Sequence, residues 1–277
     1  MKQAHPGYSV RRICKVAGVS RSTLGPAVVR GRRRRDTDTE LEQKVQLLIQ
    51  EHPTYGYRRL WALLRHRLRL TVNRKRIYRL LKRKHWLVHQ RTVTPRPRVQ
   101  GWTSRTRRSD RRWAMDVTHV FCGRDGWAHL VAVIDCCDRE LVGWEFALRG
   151  RAKEAERAIE AACIRRFGTL RPRGSAPIIR SDNGLIFQSR RFRAACRDYR
   201  LTQEFITPYT PEQNGIIERF FPSLKEECVW QDRFEDFSQA KRAIAQWIEW
   251  YNTGRPHQSL GYRSPQEYRA QVLSPVA

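Results

Sequence analysis

No run of eighteen apolar residues occurs in this chain of 277 residues, so nothing in it is long enough to span a bilayer as a helix. The first residues, MKQAHPGYSVRRICK, lack the apolar stretch of a secretory signal, and a cytosolic protein without membrane contact is expected. There is no C-x-x-C pair. The seven cysteines, Cys14, Cys122, Cys136, Cys137, Cys163, Cys196 and Cys228, are odd in number and scattered, which argues against a disulfide framework or a zinc ribbon. His85 and His89 lie four apart, as zinc ligands on a helix do, but no cysteine pair follows them; solvated histidines on a basic face are the expectation. Acidic residues are scarce in one half only. Residues 1–112 hold 31 of the 55 Lys and Arg but 6 of the 27 Asp and Glu. Of the net charge of +28, this half carries +25 and the remainder +3.

That asymmetry describes a polyanion-gripping part joined to a near-neutral part that does something else. Arg outnumbers Lys, which suits bidentate contact with phosphates. Residues 1–35 read as a small helix-turn-helix-like segment with a basic linker. Ser9 caps a helix through VRRICKVA, Gly18 makes the turn, and Ser20 caps a second helix that Gly25-Pro26 ends early. The run Gly31 to Arg35 reads as flexible linker. Residues 36–90 read as a second such unit. A helix capped by Asp38 or Thr39 carries a stripe of Leu41, Val45, Leu48 and Ile49. YGYRRLWALLRHRL is next, with Tyr57, Leu60, Trp61 and Leu64 at helical spacing. A basic helix capped by Asn73 turns Ile77, Leu80 and Leu81 inward. Arg58, Arg59, Arg74, Lys75 and Arg76 are its candidate DNA contacts; a helical bundle with a solvated face is the alternative. Residues 91–112, rich in Pro, Ser, Thr and Arg, read as an inter-domain linker able to lie along DNA.

From Trp113 to residue 270 the texture becomes α/β, with 271–277 as a tail. RWAMDVTHVF alternates, with Trp113, Met115, Val117 and Phe121 on one face and Asp116, Thr118 and Val120 on the other. WAHLVAVIDCC and LVGWEFAL follow as strands of an antiparallel meander. AKEAERAIEAACIRRFG is a helix ended by Gly168, APIIRSDNG a strand opening into a turn, SRRFRAACRDYRL a helix and TQEFITPY a fifth strand. The expected fold is a mixed five-stranded sheet covered by helices. PYTPEQNGIIERFFPSLKEE starts as a loop and becomes an amphipathic helix, with Ile217, Phe220, Phe221, Leu224 and Cys228 on its core face. Glu218 and Lys225 share its other face, two turns apart.

Three acids stand out. Asp116 lies among apolar neighbours in a strand, where an acid is costly unless paired or bound to a metal. Asp182 ends the fourth strand, where α/β sheets place ligand chemistry. Glu218 is on the helix. Three oxygen donors without His or Cys suit Mg2+ or Mn2+ rather than zinc. Spacing alone does not single them out from 27 acids. Asp135 and Asp138 are expected to cap the Cys-Cys-Asp-Arg turn, and Glu226 and Glu227 to face solvent. The nine tryptophans are assigned to packing; Trp102 and Trp230, near basic residues, are the two able to stack on a base.

WAMDVTHV, RSDNG and TPYTPEQNGIIERFFPSLKEEC closely resemble the three catalytic blocks of DDE insertion-sequence transposases, in particular the second-reading-frame product of two-frame elements. Thirty-five residues separate Asp182 from Glu218, as in that family. YNTGRPHQSLGYRSPQEY resembles its terminal signature. The likeness covers about residues 40–270 of the chain. It implies a ribonuclease-H-like, retroviral-integrase-like core in which Asp116, Asp182 and Glu218 hold two Mg2+ (or Mn2+) ions. It further implies cleavage that frees a 3′-hydroxyl at the element's end, then strand transfer by transesterification. Lys225 would contact a DNA phosphate, Asn183 and Gln213-Asn214 would line the active-site loops, and His257 would position the helix or the DNA, or serve the scaffold. The implied partners are double-stranded DNA, further copies of the chain and an upstream-frame product. Two positions depart from the family. Pro222 is expected to kink or break the helix beside Glu218 and weaken catalysis, and Gly25-Pro26 to cut short a recognition helix. A hydrolysis-only nuclease of the same fold and a decayed DNA-binding remnant are the competing readings.

Overall fold

The structure is a computed structural model that describes residues 9–19, 31–88, 106–207 and 210–273. The expectations for Ser20, Gly25-Pro26, His89, Trp102 and most of the 91–112 linker therefore lie outside the described residues. The chain divides into two compact units, Met1–Glu51 and His52–Ala277. No described helix is long and apolar enough to cross a membrane.

In the first unit, α1 (Val10–Val16) follows Ser9, whose hydroxyl accepts the N–H of Arg12 at 3.4 Å. Gly18 takes a left-handed φ of 64° at the turn, as expected. The basic run does not behave as a linker. Gly31 opens α2 (Gly31–Glu51), so Asp38 and Thr39 lie inside the helix rather than capping it. Arg residues are good helix formers, and a run of them gives no stop signal of its own. Leu41, Val45 and Leu48 are buried.

The second unit begins with α3 (Tyr57–His66) and α4 (Arg74–Arg83). Asn73 caps α4 by accepting the N–H of Lys75 at 2.8 Å, and Ile77, Leu80 and Leu81 are buried. The sheet comprises β1 (Arg112–Phe121), β2 (Trp127–Asp135), β3 (Leu141–Ala147), β4 (Ile178–Ser181) and β5 (Thr202–Phe205), in the order β3-β2-β1-β4-β5. The first three form an antiparallel meander, and β4 and β5 add in parallel beside β1. Helices α5 (Ala152–Phe167), α6 (Leu185–Gln188), α7 (Arg190–Asp198), α8 (Gly215–Leu224), α9 (Phe237–Thr253) and α10 (Pro265–Leu273) complete it.

Alternation along β1 sends its side chains into two cores. Trp113 and Met115 pack with Ala155, Ala158, Ile159 and Ala162 of α5 and Phe192 of α7. Ala114 and Val120 pack with Ile217, Phe220 and Leu224 of α8 and Ile244, Trp247 and Tyr251 of α9. Asp116 shares the parity of Ala114 and so lies on the α8 face. Phe121, on the strand face of Trp113 and Met115 by alternation, ends its strand in solvent.

α5 approaches β3 closely because Gly143 has no side chain. A Cβ there would lie 2.1 Å from the Ala158 carbonyl oxygen and 2.8 Å from Ala162 Cβ. Since the obstacle is helix backbone, Gly143→Ala forces α5 off the sheet. It is expected to cost about 1–3 kcal/mol, read as a lower urea midpoint with an unchanged slope.

Candidate active site

Asp116 comes from the middle of β1, Asp182 from the residue after β4, and Glu218 from the first turns of α8. The parallel register of β1 and β4, with Ala114 beside Arg180, brings mid-strand Asp116 alongside Asp182 at the end of β4, and α8 lies across the same face of the sheet. The three acids feel one another. Burial pushes the Asp116 carboxyl up to about 7, the Val117 N–H at 2.7 Å opposes it, and the charges of Asp182 and Glu218 raise it further. Glu218 is also raised, by partial burial and by Glu212. Asp182 accepts the Gly184 N–H at 3.0 Å, closing the turn beyond β4.

Residues between these acids tie the loops down. Asn183 Nδ2 donates to the Ile206 carbonyl at 2.9 Å, linking the loops that follow β4 and β5. Asn214 is 2% exposed and its Nδ2 donates to the Met115 carbonyl at 3.3 Å, one residue from Asp116. Arg180 donates to the Gln213 carbonyl at 2.8 Å, while the Gln213 side chain accepts the Thr207 N–H. Both asparagines therefore act first on the shape of the site.

Among the described residues, no three His, Cys, Asp or Glu side chains are gathered as a ready metal cage. The chemistry of Asp116, Asp182 and Glu218 nevertheless fits a hard divalent cation. All donors are carboxylate oxygens, and their mutual repulsion, strongest on half-buried Asp116, is relieved by a bound positive charge.

The acids given structural roles hold them. Asp135 accepts the N–H groups of Cys137 and Asp138 at 2.7 and 3.1 Å, and Asp138 meets Arg166 at 2.9 Å. Glu227 is the exception. Instead of facing solvent, its side chain is 6% exposed and accepts from Arg255 at 2.6 and 2.8 Å and from Arg59 at 2.7 Å. Arg59 is thus committed to a buried carboxylate rather than offered to DNA; α3 docks against the core, and a sequence pattern cannot show which arginine meets an acid 168 residues away. Arg58 remains exposed beside the Tyr57 hydroxyl, and Arg74, Lys75 and Arg76 lie exposed along α4.

The terminal signature proves to be a clamp. Asn252 bonds both the N–H and the carbonyl of Leu141, and Arg255 holds Glu227. His257 packs edge-on against Tyr251 at 4.8 Å, and the Tyr262 ring meets Trp61 of α3 edge to face at 5.6 Å. Burial first, and Arg255 next, hold His257 well below its ordinary 6.5, so it is neutral.

The break expected at Pro222 does not occur. α8 runs through it to Leu224, followed by a π-helical segment, Lys225–Val229, that carries Cys228 into the core and closes with the Trp230 N–H on the Lys225 carbonyl at 2.8 Å. Glu218 is the fourth residue of the helix and Pro222 the eighth, so the N–H that proline lacks is the one that would donate to the Glu218 carbonyl. Because Pro222 is exposed, Pro222→Ala restores that donor without repacking. It is expected to stabilise the chain by about 1–3 kcal/mol, read as a raised melting temperature.

With a mixed five-stranded sheet in the order β3-β2-β1-β4-β5 and flanking helices, this is a ribonuclease-H-like fold. Residues 106–211 and 199–265 match two family models, each described as an integrase core domain, and residues 35–92 match an HTH-like domain. Over 280 aligned residues the chain is 32% identical to the Escherichia coli transposase InsD for insertion element IS2A/D/F/H/I/K, covering 96% of this chain and 92% of that one. The transposase InsD for insertion element IS2-9 of Escherichia coli K12 is also 32% identical, with 96% and 90% covered. Among solved structures, the simian T-cell lymphotropic virus intasome in complex with PP2A regulatory subunit B56 gamma aligns at a TM-score of 0.51 and 19% identity, over 78% of this chain and 77% of that one, a likeness of fold. The chain belongs to the family of insertion-sequence transposases with an integrase-like core.

Proposed function

We propose that this transposase cuts and joins DNA at Asp116, Asp182 and Glu218, which would hold two Mg2+ or Mn2+ ions. When bound, such ions activate an attacking oxygen and stabilise the leaving oxygen of a phosphodiester. The observation that carries the reading is the placement of three acids from β1, the end of β4 and the start of α8, where the charges of Asp182 and Glu218 add to the burial that raises the Asp116 carboxyl. The chain's own residues supply the rest. Asn214 and Asn183 hold the surrounding loops, and Lys225, two turns beyond Glu218, neutralises a phosphate near the scissile bond. Arg58, Arg74, Lys75 and Arg76 grip the DNA backbone.

The reaction balances without a covalent protein intermediate. Water attacks the phosphodiester at the element's end, the P–O bond to the 3′-oxygen breaks, and that oxygen leaves as a hydroxyl. The freed 3′-hydroxyl then attacks a second phosphodiester, forming one P–O bond as another breaks. Joining two ends calls for more than one copy on the DNA, and an upstream-frame product is a candidate partner. With the work done on bacterial DNA, the cytoplasm is the expected place of action. A labelled duplex of the terminal repeats flanking the gene tests this: with Mg2+, joined product longer than the substrate is expected. Cut product alone would leave a hydrolytic nuclease, and neither product would leave a DNA-binding remnant.

A further inference from the structure

Three large aromatic side chains stand in solvent around one groove, at the end of the sheet nearest Lys225. Phe121 ends β1 and Trp127 begins β2; they are 53% and 62% exposed, with rings 5.5 Å apart, edge to face. Trp230 is 60% exposed and follows the π-helical segment. Together with Lys225, Arg233 and Asp232 they line a groove of about 520 Å³. Single exposed aromatics are common, but three around one cavity mark a surface that meets something. The trio is absent from the account of catalysis above, and packing does not explain it.

Flat rings flanked by cations match the chemistry of an unpaired nucleotide: a base stacks on a ring whatever its identity, and its phosphate meets a positive charge. A second copy of this chain is the competing occupant. Charge favours the nucleotide, because Lys225 and Arg233 outnumber Asp232 around the groove. The location fits as well. Lys225 lies seven residues beyond Glu218, roughly 10 Å along the helix at its usual rise, which is within a nucleotide or two of the acids.

We propose that this groove takes an unpaired base at the DNA end, stacked against Trp230 and Trp127 with its phosphate on Lys225 and Arg233. This rests on the reading of the acids as a DNA-joining site. It gives the chain a means of holding a melted end beside the scissile bond.

The test compares two duplexes of the flanking terminal repeat, one fully paired and one ending in three unpaired nucleotides with 2-aminopurine at the second. Trp230→Ala and Trp127→Ala are expected to weaken binding of the unpaired end about tenfold or more and to leave the paired duplex unaffected. Trp230→Phe should retain most of the affinity. The 2-aminopurine fluorescence should be quenched by the parent chain and stay bright with the alanine variants. Both rings are exposed, so circular dichroism and melting should not change. Equal loss on both duplexes, or no quenching by the parent, overturns the proposal. So does a changed sedimentation coefficient with unchanged binding of the unpaired end, which would make the groove a protein interface. Parent chain that binds neither duplex sinks the DNA-joining reading as well; parent chain that binds both, with variants indistinguishable from it, sinks the groove alone.

Discussion

Asp116→Asn is expected to abolish strand joining while leaving the fold at least as stable as the parent. The two halves of that result have one cause. Asp116 is half-buried, and burial raises its carboxyl to about 7, with Asp182 and Glu218 adding to the penalty. An amide of the same shape removes a charge that the empty site disfavours, so the melting temperature in metal-free buffer should hold or rise. On the proposed reading, the same charge would draw a cation to the site. Losing one ligand of a two-ion site forfeits several kcal/mol of transition-state stabilisation, and at about 1.4 kcal/mol per tenfold this is a fall of about a thousandfold or more. A variant that melts early and loses activity in proportion would instead make Asp116 a structural acid. Rates of joined product and thermal melts, taken on the same preparation, separate the two.

Glu227→Ala is expected to do the reverse: a large loss of stability through a residue that touches no reacting atom. Glu227 and Arg255 are 6% and 4% exposed and meet at 2.6 Å, with Arg59 of α3 as the third member. Removing the carboxylate leaves Arg255 buried without its counter-charge. Breaking one side of such a pair costs about 3–5 kcal/mol, read from the urea midpoint. Replacing both partners, as Glu227→Leu with Arg255→Met, should recover most of that loss, because two apolar side chains leave no charge stranded. The ion pair lies nine residues past Glu218 on one continuous helical segment, so its loss also loosens the mount of the third acid.

The contribution of each clamp residue to the pH dependence of stability has a definite sign. Burial pushes the Glu227 carboxyl up, but the Arg255 and Arg59 guanidiniums more than offset it, leaving it below its ordinary 4.5. Its contribution is complete above that value and is lost as pH falls through the depressed one. His257 acts earlier. It stays neutral in the folded chain well below 6.5, whereas the unfolded chain takes up a proton there, so its own contribution declines from about pH 6.5 downward, opposed by the raised carboxyls of Asp116 and Asp135.

Much of this architecture was legible in the order of residues. The five strands, the alternation that puts Asp116 opposite Met115, the Asn73 cap and the Gly168 stop are local signals, and the structure follows them. Three features were not legible, each for a physical reason. The arginine run at Gly31 reads as linker by charge, yet arginine favours helix and extends α2. Pro222 reads as a break, yet it lies on the exposed side of α8 and the helical turns continue through it into the Lys225–Val229 segment. Glu227 reads as a surface acid, because its partners are 28 and 168 residues away along the chain. The same long-range pairing makes the terminal signature a clamp rather than a set of reacting groups. A signal existed: Glu227 stands three residues past Leu224 and seven past Phe220, both on the buried face, so helical spacing alone returns it toward the core.

The most direct test of the central claim is anomalous scattering from Mn2+ in crystals of the chain bound to a duplex of its terminal repeat. The account predicts two anomalous peaks bounded by the carboxylates of Asp116, Asp182 and Glu218, and their disappearance in Asp116→Asn. Well-ordered DNA with no peak among those three side chains, or with manganese held by other acids, would contradict it.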